Sequence, residues 1–126
     1  MNRLLLAAAL ATLSLPAVAG EGLMCFGEGI NVHLPMAGGI GLSPLGVVID
    51  VNGDVWATDA AQGTEIRVSE AFSGNHRIEI DFADPEYQQV VGALRLFWTE
   101  EESDPVYGGT LKIVGKGAWA VHCGWG

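Results

Sequence analysis

Apolar and polar residues alternate with a period of two along most of this chain, and long helical periodicity is absent. Ile78, Ile80 and Phe82 point one way while Arg77, Glu79 and Asp81 point the other, the signature of a strand with one face buried and one wet. Leu94, Leu96 and Trp98 share a face in the same manner, as do Trp119, Val121 and Cys123. Leu23 to Phe26 and Ile30 to Leu34 read as the first two short strands, turned by Gly27-Glu28-Gly29. The clearest hairpin joins Val47–Val51 to Asp54–Thr58 through Asn52-Gly53, a pair that supplies the two positive φ angles of a type I′ turn. A second hairpin pairs Glu65 to Phe72 with His76 to Phe82 across Ser73-Gly74-Asn75. Ala93 to Glu100 pairs with Thr110 to Val114 across the loop Glu101 to Gly109, and Ala118 to Cys123 closes the series.

These segments amount to about eight short strands, mostly joined as hairpins. They predict an all-β fold, a small antiparallel barrel, with a β-sandwich as the alternative. Two stretches depart from the alternation. Met36 to Gly46 is too rich in glycine for a regular strand and reads as a loop; it lacks the Gly-Lys-Ser/Thr ending of a phosphate cradle. Asp84-Pro85-Glu86 offers an N-cap, a first-turn proline and an early acid, which predicts one short helix over Pro85 to Val91.

The beginning of the chain follows a different rule. Arg3 precedes an apolar run from Leu4 to Leu15, and Ala17-Val18-Ala19 is a small-x-small cleavage site. Residues 1–19 are therefore expected to be a cleaved secretory signal. The run is shorter than the ~20 residues that span a bilayer, so no membrane span is expected after cleavage. The expected location is periplasmic or secreted, and 20–126 is expected to fold as a single domain. In that oxidising setting the two cysteines, Cys25 and Cys123, read as one disulfide. One lies in the first strand and the other in the last, so their bond would make those strands neighbours and close the sheet.

The charge balance narrows the partners. Fifteen acidic residues face six basic ones, a formal −9, and all the acids lie after Ala19. The bases are scattered singly, which excludes the clustered Lys and Arg of a nucleic-acid surface. A basic envelope or extracellular protein remains a suitable partner. Glu100, Glu101, Glu102 and Asp104 form the densest acidic run and are candidate contacts for it.

No set of residues points to catalysis. The serines lie outside any Gly-x-Ser-x-Gly elbow, the histidines are single, and consecutive acids at a strand end splay into water rather than face each other across a cleft. The chain is accordingly expected not to be an enzyme and to need no cofactor or metal. Asp50-x-Asn52-x-Asp54 starts like a calcium loop but has Val55 where glycine belongs and Ala61 where the bidentate acid belongs. His33 near Met36, with Met24 in the neighbouring strand, is the only combination soft enough to suggest copper. Among the tryptophans, Trp98 and Trp119 alternate as core residues. Trp56, between Asp54 and Thr58, and Trp125, in the tail, are the candidates for a recognition surface.

The general shape is similar to small exported lysozyme inhibitors of the C-type barrel family, which also have short strands, a cysteine near each end and a lysozyme-facing loop. Ser73-Gly74 matches the start of that family's Ser-Gly-x-x-Tyr, which makes Ser73 a further binding candidate, but Arg77 stands where tyrosine is expected, and Trp98-Thr99-Glu100-Glu101 lacks the lysine of its later segment. The resemblance covers architecture only. The expectation is a small non-enzymatic binding or inhibitor module, with a barrel enclosing a small apolar or aromatic ligand as the alternative. A filled interior would favour the first and an open one the second.

Overall fold

The computed structural model describes residues 22–38 and 41–126. The expected signal, 1–19, lies outside the described residues. Ten strands form a single sheet: β1 (Gly22–Gly27), β2 (Ile30–Pro35), β3 (Val48–Val51), β4 (Asp54–Ala57), β5 (Thr64–Glu65), β6 (Arg67–Gly74), β7 (Arg77–Ala83), β8 (Val90–Glu101), β9 (Asp104–Ile113) and β10 (Gly117–Trp125). Their spatial order is β5-β4-β3-β2-β1-β10-β9-β8-β7-β6, so the sheet curls into a mostly closed barrel. One continuous sheet replaces the two stacked sheets of a sandwich. The first strand does pair with the last: Cys25 lies opposite Cys123, their Cα atoms 4.0 Å apart and their sulfurs bonded.

The far end of the sheet closes less completely, for a countable reason. β5 and β6 form a single run interrupted at Ile66, which leaves nine strands around the barrel. An odd number of up-and-down strands forces one parallel neighbour pair, and here it is β4 with β5, Trp56 opposite Thr64 and Ala57 opposite Glu65. Parallel pairs usually need a crossover of a dozen residues or more. Here 58–63 suffice, because Gly63 folds against the Val55 carbonyl, where a Cβ would come within 2.5 Å of the oxygen. Asp59 holds the turn by accepting from Gln62 N–H through its carbonyl and from Ala61 N–H through its carboxylate.

The interior follows the alternation. Leu23, Leu34, Ile49, Ile80, Phe82, Leu94 and Leu111 are fully buried, with Ile30, Val32, Ile78 and Leu96 nearly so, and no polar or charged residue is buried among the described residues. Burial of this kind is worth roughly 25 cal/mol per Å² of apolar surface and supplies the main driving force for folding.

Three local expectations are corrected. No helix forms over Pro85 to Val91: the Asp84 carboxylate accepts backbone N–H groups from Glu86, Gln88 and Gln89, Tyr87 takes a left-handed φ of 59°, and Val90 begins β8. The loop Glu101 to Gly109 is almost all strand, turned in two residues at Glu102 (φ 52°) and Ser103 (φ 79°). The turn before β7 is Asn75-His76, both left-handed, rather than Ser73-Gly74-Asn75.

Candidate functional site

Alternation carries the inward face of each strand past the end of the core, and at one end of the barrel those positions are aromatic. In β8, Leu94 and Leu96 are buried and Trp98, next on the same face, is half-buried. Trp98 sits opposite Tyr107 of β9, and Tyr107 opposite Cys123 of β10, which places Trp125 one step further along that face. The rings form a row. His76 stacks on Trp98 at 4.4 Å with planes 4° apart, Trp98 meets Tyr107 at 6.0 Å, and Tyr107 meets the edge-on Trp125 at 6.3 Å. His76 is held there by its turn, since its carbonyl accepts from Trp98 N–H at 3.0 Å and its backbone is left-handed.

The β8–β9 hairpin continues beyond this row. Glu100 pairs with Pro105 and Glu101 with Asp104, so the acidic run is the paired tip of a hairpin rather than an unpaired loop. Phe97 and Val106 stand exposed on its outer face. The arginines do not reach it. Arg67 pairs with Glu65, Arg77 with Glu79 at 3.0 Å and Arg95 with Asp81 at 2.8 Å, and no ion pair among the described residues includes Glu100, Glu101, Glu102 or Asp104. Local neutralisation elsewhere leaves the tip as a concentrated negative field beside exposed aromatic surface.

The residues expected to form a recognition surface separate into two groups. Trp125 lies in the aromatic row, 45% exposed, and Glu100, Glu101, Glu102 and Asp104 extend from it. Ser73 is exposed on β6, near the turn that carries His76. Trp56 belongs elsewhere: it lies opposite Ile49, a fully buried position, packs half-buried against the core, and lines a surface recess with Gly63 and Lys116. Trp98 is corrected in part, since it forms the middle of the exposed row rather than core. His76 and Tyr107 join the site without having been singled out, because their place depends on turns that contain no glycine.

The remaining chemistry finds no constellation. Met24 and His33 are direct cross-strand partners on the outer face, but Met36 packs half-buried against the core, and no group of three or more His, Cys, Asp or Glu among the described residues is arranged to hold a metal. The interior is filled with large apolar side chains, and a surface recess lies outside it, bounded by Glu28, Asn52, Ala118, Trp119 and Ala120 at the opposite rim. Fold and site together give a small β-barrel with an exposed aromatic cluster at one mouth, an arrangement consistent with a binding-type barrel. No known protein family matches the chain, and neither does any curated protein or solved structure.

Proposed function

We propose that this protein is an exported, non-enzymatic binding module that engages a positively charged protein surface with the β8–β9 hairpin and the aromatic row beside it. The observation that carries this reading is the juxtaposition of four rings, His76, Trp98, Tyr107 and Trp125, with four acids that have no ion-pair partner among the described residues. Tryptophan and tyrosine are the side chains most often responsible for binding energy at protein interfaces, and complementary charge steers the encounter and sets its salt dependence. Cationic side chains from the partner would also meet aromatic faces, a contact favourable by about 0.5–2 kcal/mol. The filled interior speaks against an enclosed ligand.

The test is titration against basic extracellular proteins, a C-type lysozyme first, by calorimetry at two salt concentrations. Binding is expected to weaken as salt rises, to fall about tenfold or more when Trp98 is replaced by alanine, and to lose its salt dependence when Glu100, Glu101, Glu102 and Asp104 become their amides. Binding that survives all of these changes, or none at micromolar protein across a panel of basic proteins, would sink the proposal.

A further inference from the structure

The strand that closes the barrel does so for only part of its length. Thr64 and Glu65 pair with β4, and the Ile66 N–H still reaches the Ala57 carbonyl, but β4 ends at Ala57 and the chain turns away. From there β6 pairs with β7 alone, and it is the last strand in the sheet. Glu70 to Gly74 make no backbone hydrogen bond on the other edge among the described residues. The accompanying side chains tell the same story. Ala71 and Ser73 face the same way as their β7 partners Ile80 and Ile78, yet both are exposed while the two isoleucines are buried.

We infer that this free edge of β6 receives an extended segment of another protein, which adds as a strand in the line that β4 would occupy if it were longer. A row of N–H and C=O groups with no partner among the described residues is matched by an extended backbone. The five residues Glu70 to Gly74 span about 17 Å, enough for a short strand. Cross-strand pairing fixes what the incoming segment carries. Its inward side chains fall beside Ala71 and Ser73, which are small and exposed and leave room for branched apolar groups. Its outward side chains fall beside Glu70 and Phe72, which suit a lysine or arginine. The occupant is a segment that alternates apolar with basic residues. A second copy of this chain is the poorer match, since self-pairing would bring two chains of formal charge −9 together.

The experiment uses the purified protein and an acetylated heptapeptide that alternates valine and lysine, with two variants N-methylated at one or the other alternate set of residues. Alternate N–H groups of a strand point to opposite sides, so one methylated set is expected to weaken binding about tenfold or more and the other to leave it within about twofold. Binding should slow amide exchange in β6, and Ala71→Lys, a change at an exposed position, should weaken it to a similar degree. Equal binding by both methylated peptides or by a scrambled one would overturn the inference, as would no binding at about 1 mM. A concentration-dependent dimer of the free protein, protected at β6, would overturn it in favour of the second copy.

Discussion

Reducing the Cys25–Cys123 bond should cost this protein a large part of its stability, and the structure indicates both how much and by which route. The bonded residues are 98 positions apart, so the cross-link closes nearly the whole domain into one loop. In the chain-entropy treatment a loop of that length restrains the unfolded state by about 4.7 kcal/mol. Residual structure in the unfolded chain lowers the figure, so a loss of about 3–5 kcal/mol is expected. The folded state hardly notices the change: Cys25 is fully buried, two thiols fill nearly the same space, and the β1–β10 ladder keeps its other pairs, Leu23 with Trp125, Met24 with Gly124 and Phe26 with His122. Against the 5–15 kcal/mol that holds a typical domain folded, the reduced form is marginal.

Urea unfolding followed by tryptophan fluorescence, with and without reductant, measures this directly. With a slope of about 1.5 kcal/mol per molar urea the midpoint moves down by roughly 2–3 M, and the slope rises because the reduced chain exposes more surface. The rates locate the effect. An unfolded-state restraint speeds the meeting of β1 and β10, so reduction should mainly slow folding and leave unfolding little changed. A loss below about 1 kcal/mol, or one confined to the unfolding rate, would refute the loop-closure account.

Other substitutions probe separate parts of the fold. Phe82→Ala removes a fully buried ring from the core and should cost about 3–5 kcal/mol by the same urea assay. Gly109→Ala should also destabilise, by about 1–3 kcal/mol, because its Cβ would lie 1.9 Å from the Arg95 carbonyl oxygen and the β8–β9 pair would have to spread. Asp84 gives a pH signature. The Gln89 N–H first, and those of Gln88 and Glu86 after it, hold its carboxyl below the ordinary 3.8. A depressed folded value stabilises fully above the unfolded one and is lost as pH falls through the folded one. The deficit of Asp84→Ala in thermal melts should therefore be constant near neutrality and shrink progressively as pH falls below 3.8; a deficit that persists unchanged in strong acid would show that the carboxylate's charge is irrelevant.

The barrel was legible where local chemistry and global fold agree. Ile78, Ile80 and Phe82 lie inside as their alternation predicts, Asn52-Gly53 makes its turn, and the two cysteines mark neighbouring strands. The errors arise where one local signal fits two structures. An acid followed by proline and glutamate caps a helix, but the same carboxylate can close a turn by collecting N–H groups, and the β-branched Val90 and Val91 then favour a strand. Glu102-Ser103 and Asn75-His76 adopt left-handed turns without glycine, a conformation that costs roughly 1–2 kcal/mol per ordinary residue and that only the pairing of long flanking strands repays. Missing those turns hid the register, and with it the alignment of Trp98 with Tyr107. The half-burial of Trp56 was hidden for a related reason: a four-residue strand flanked by polar residues does not reveal which face looks inward until Ile49 is placed opposite it.

The two proposed surfaces share one structural origin. A strand obliged to serve β4 first and β7 afterwards leaves the barrel wall short on one side, while β8 and β9, the longest strands, carry it too far on the other. The aromatic row lies between, and its end at His76 sits in the turn that directly follows the free edge of β6. A partner seated on the hairpin is thus within reach of the slot, and one extended basic segment could meet the acids with its charges and the slot with its backbone. Sites that share a ligand in this way are coupled. Trp98→Ala and Ala71→Lys should then each weaken binding of that one segment, whereas with separate ligands each substitution would weaken binding of its own ligand and leave the other's unchanged.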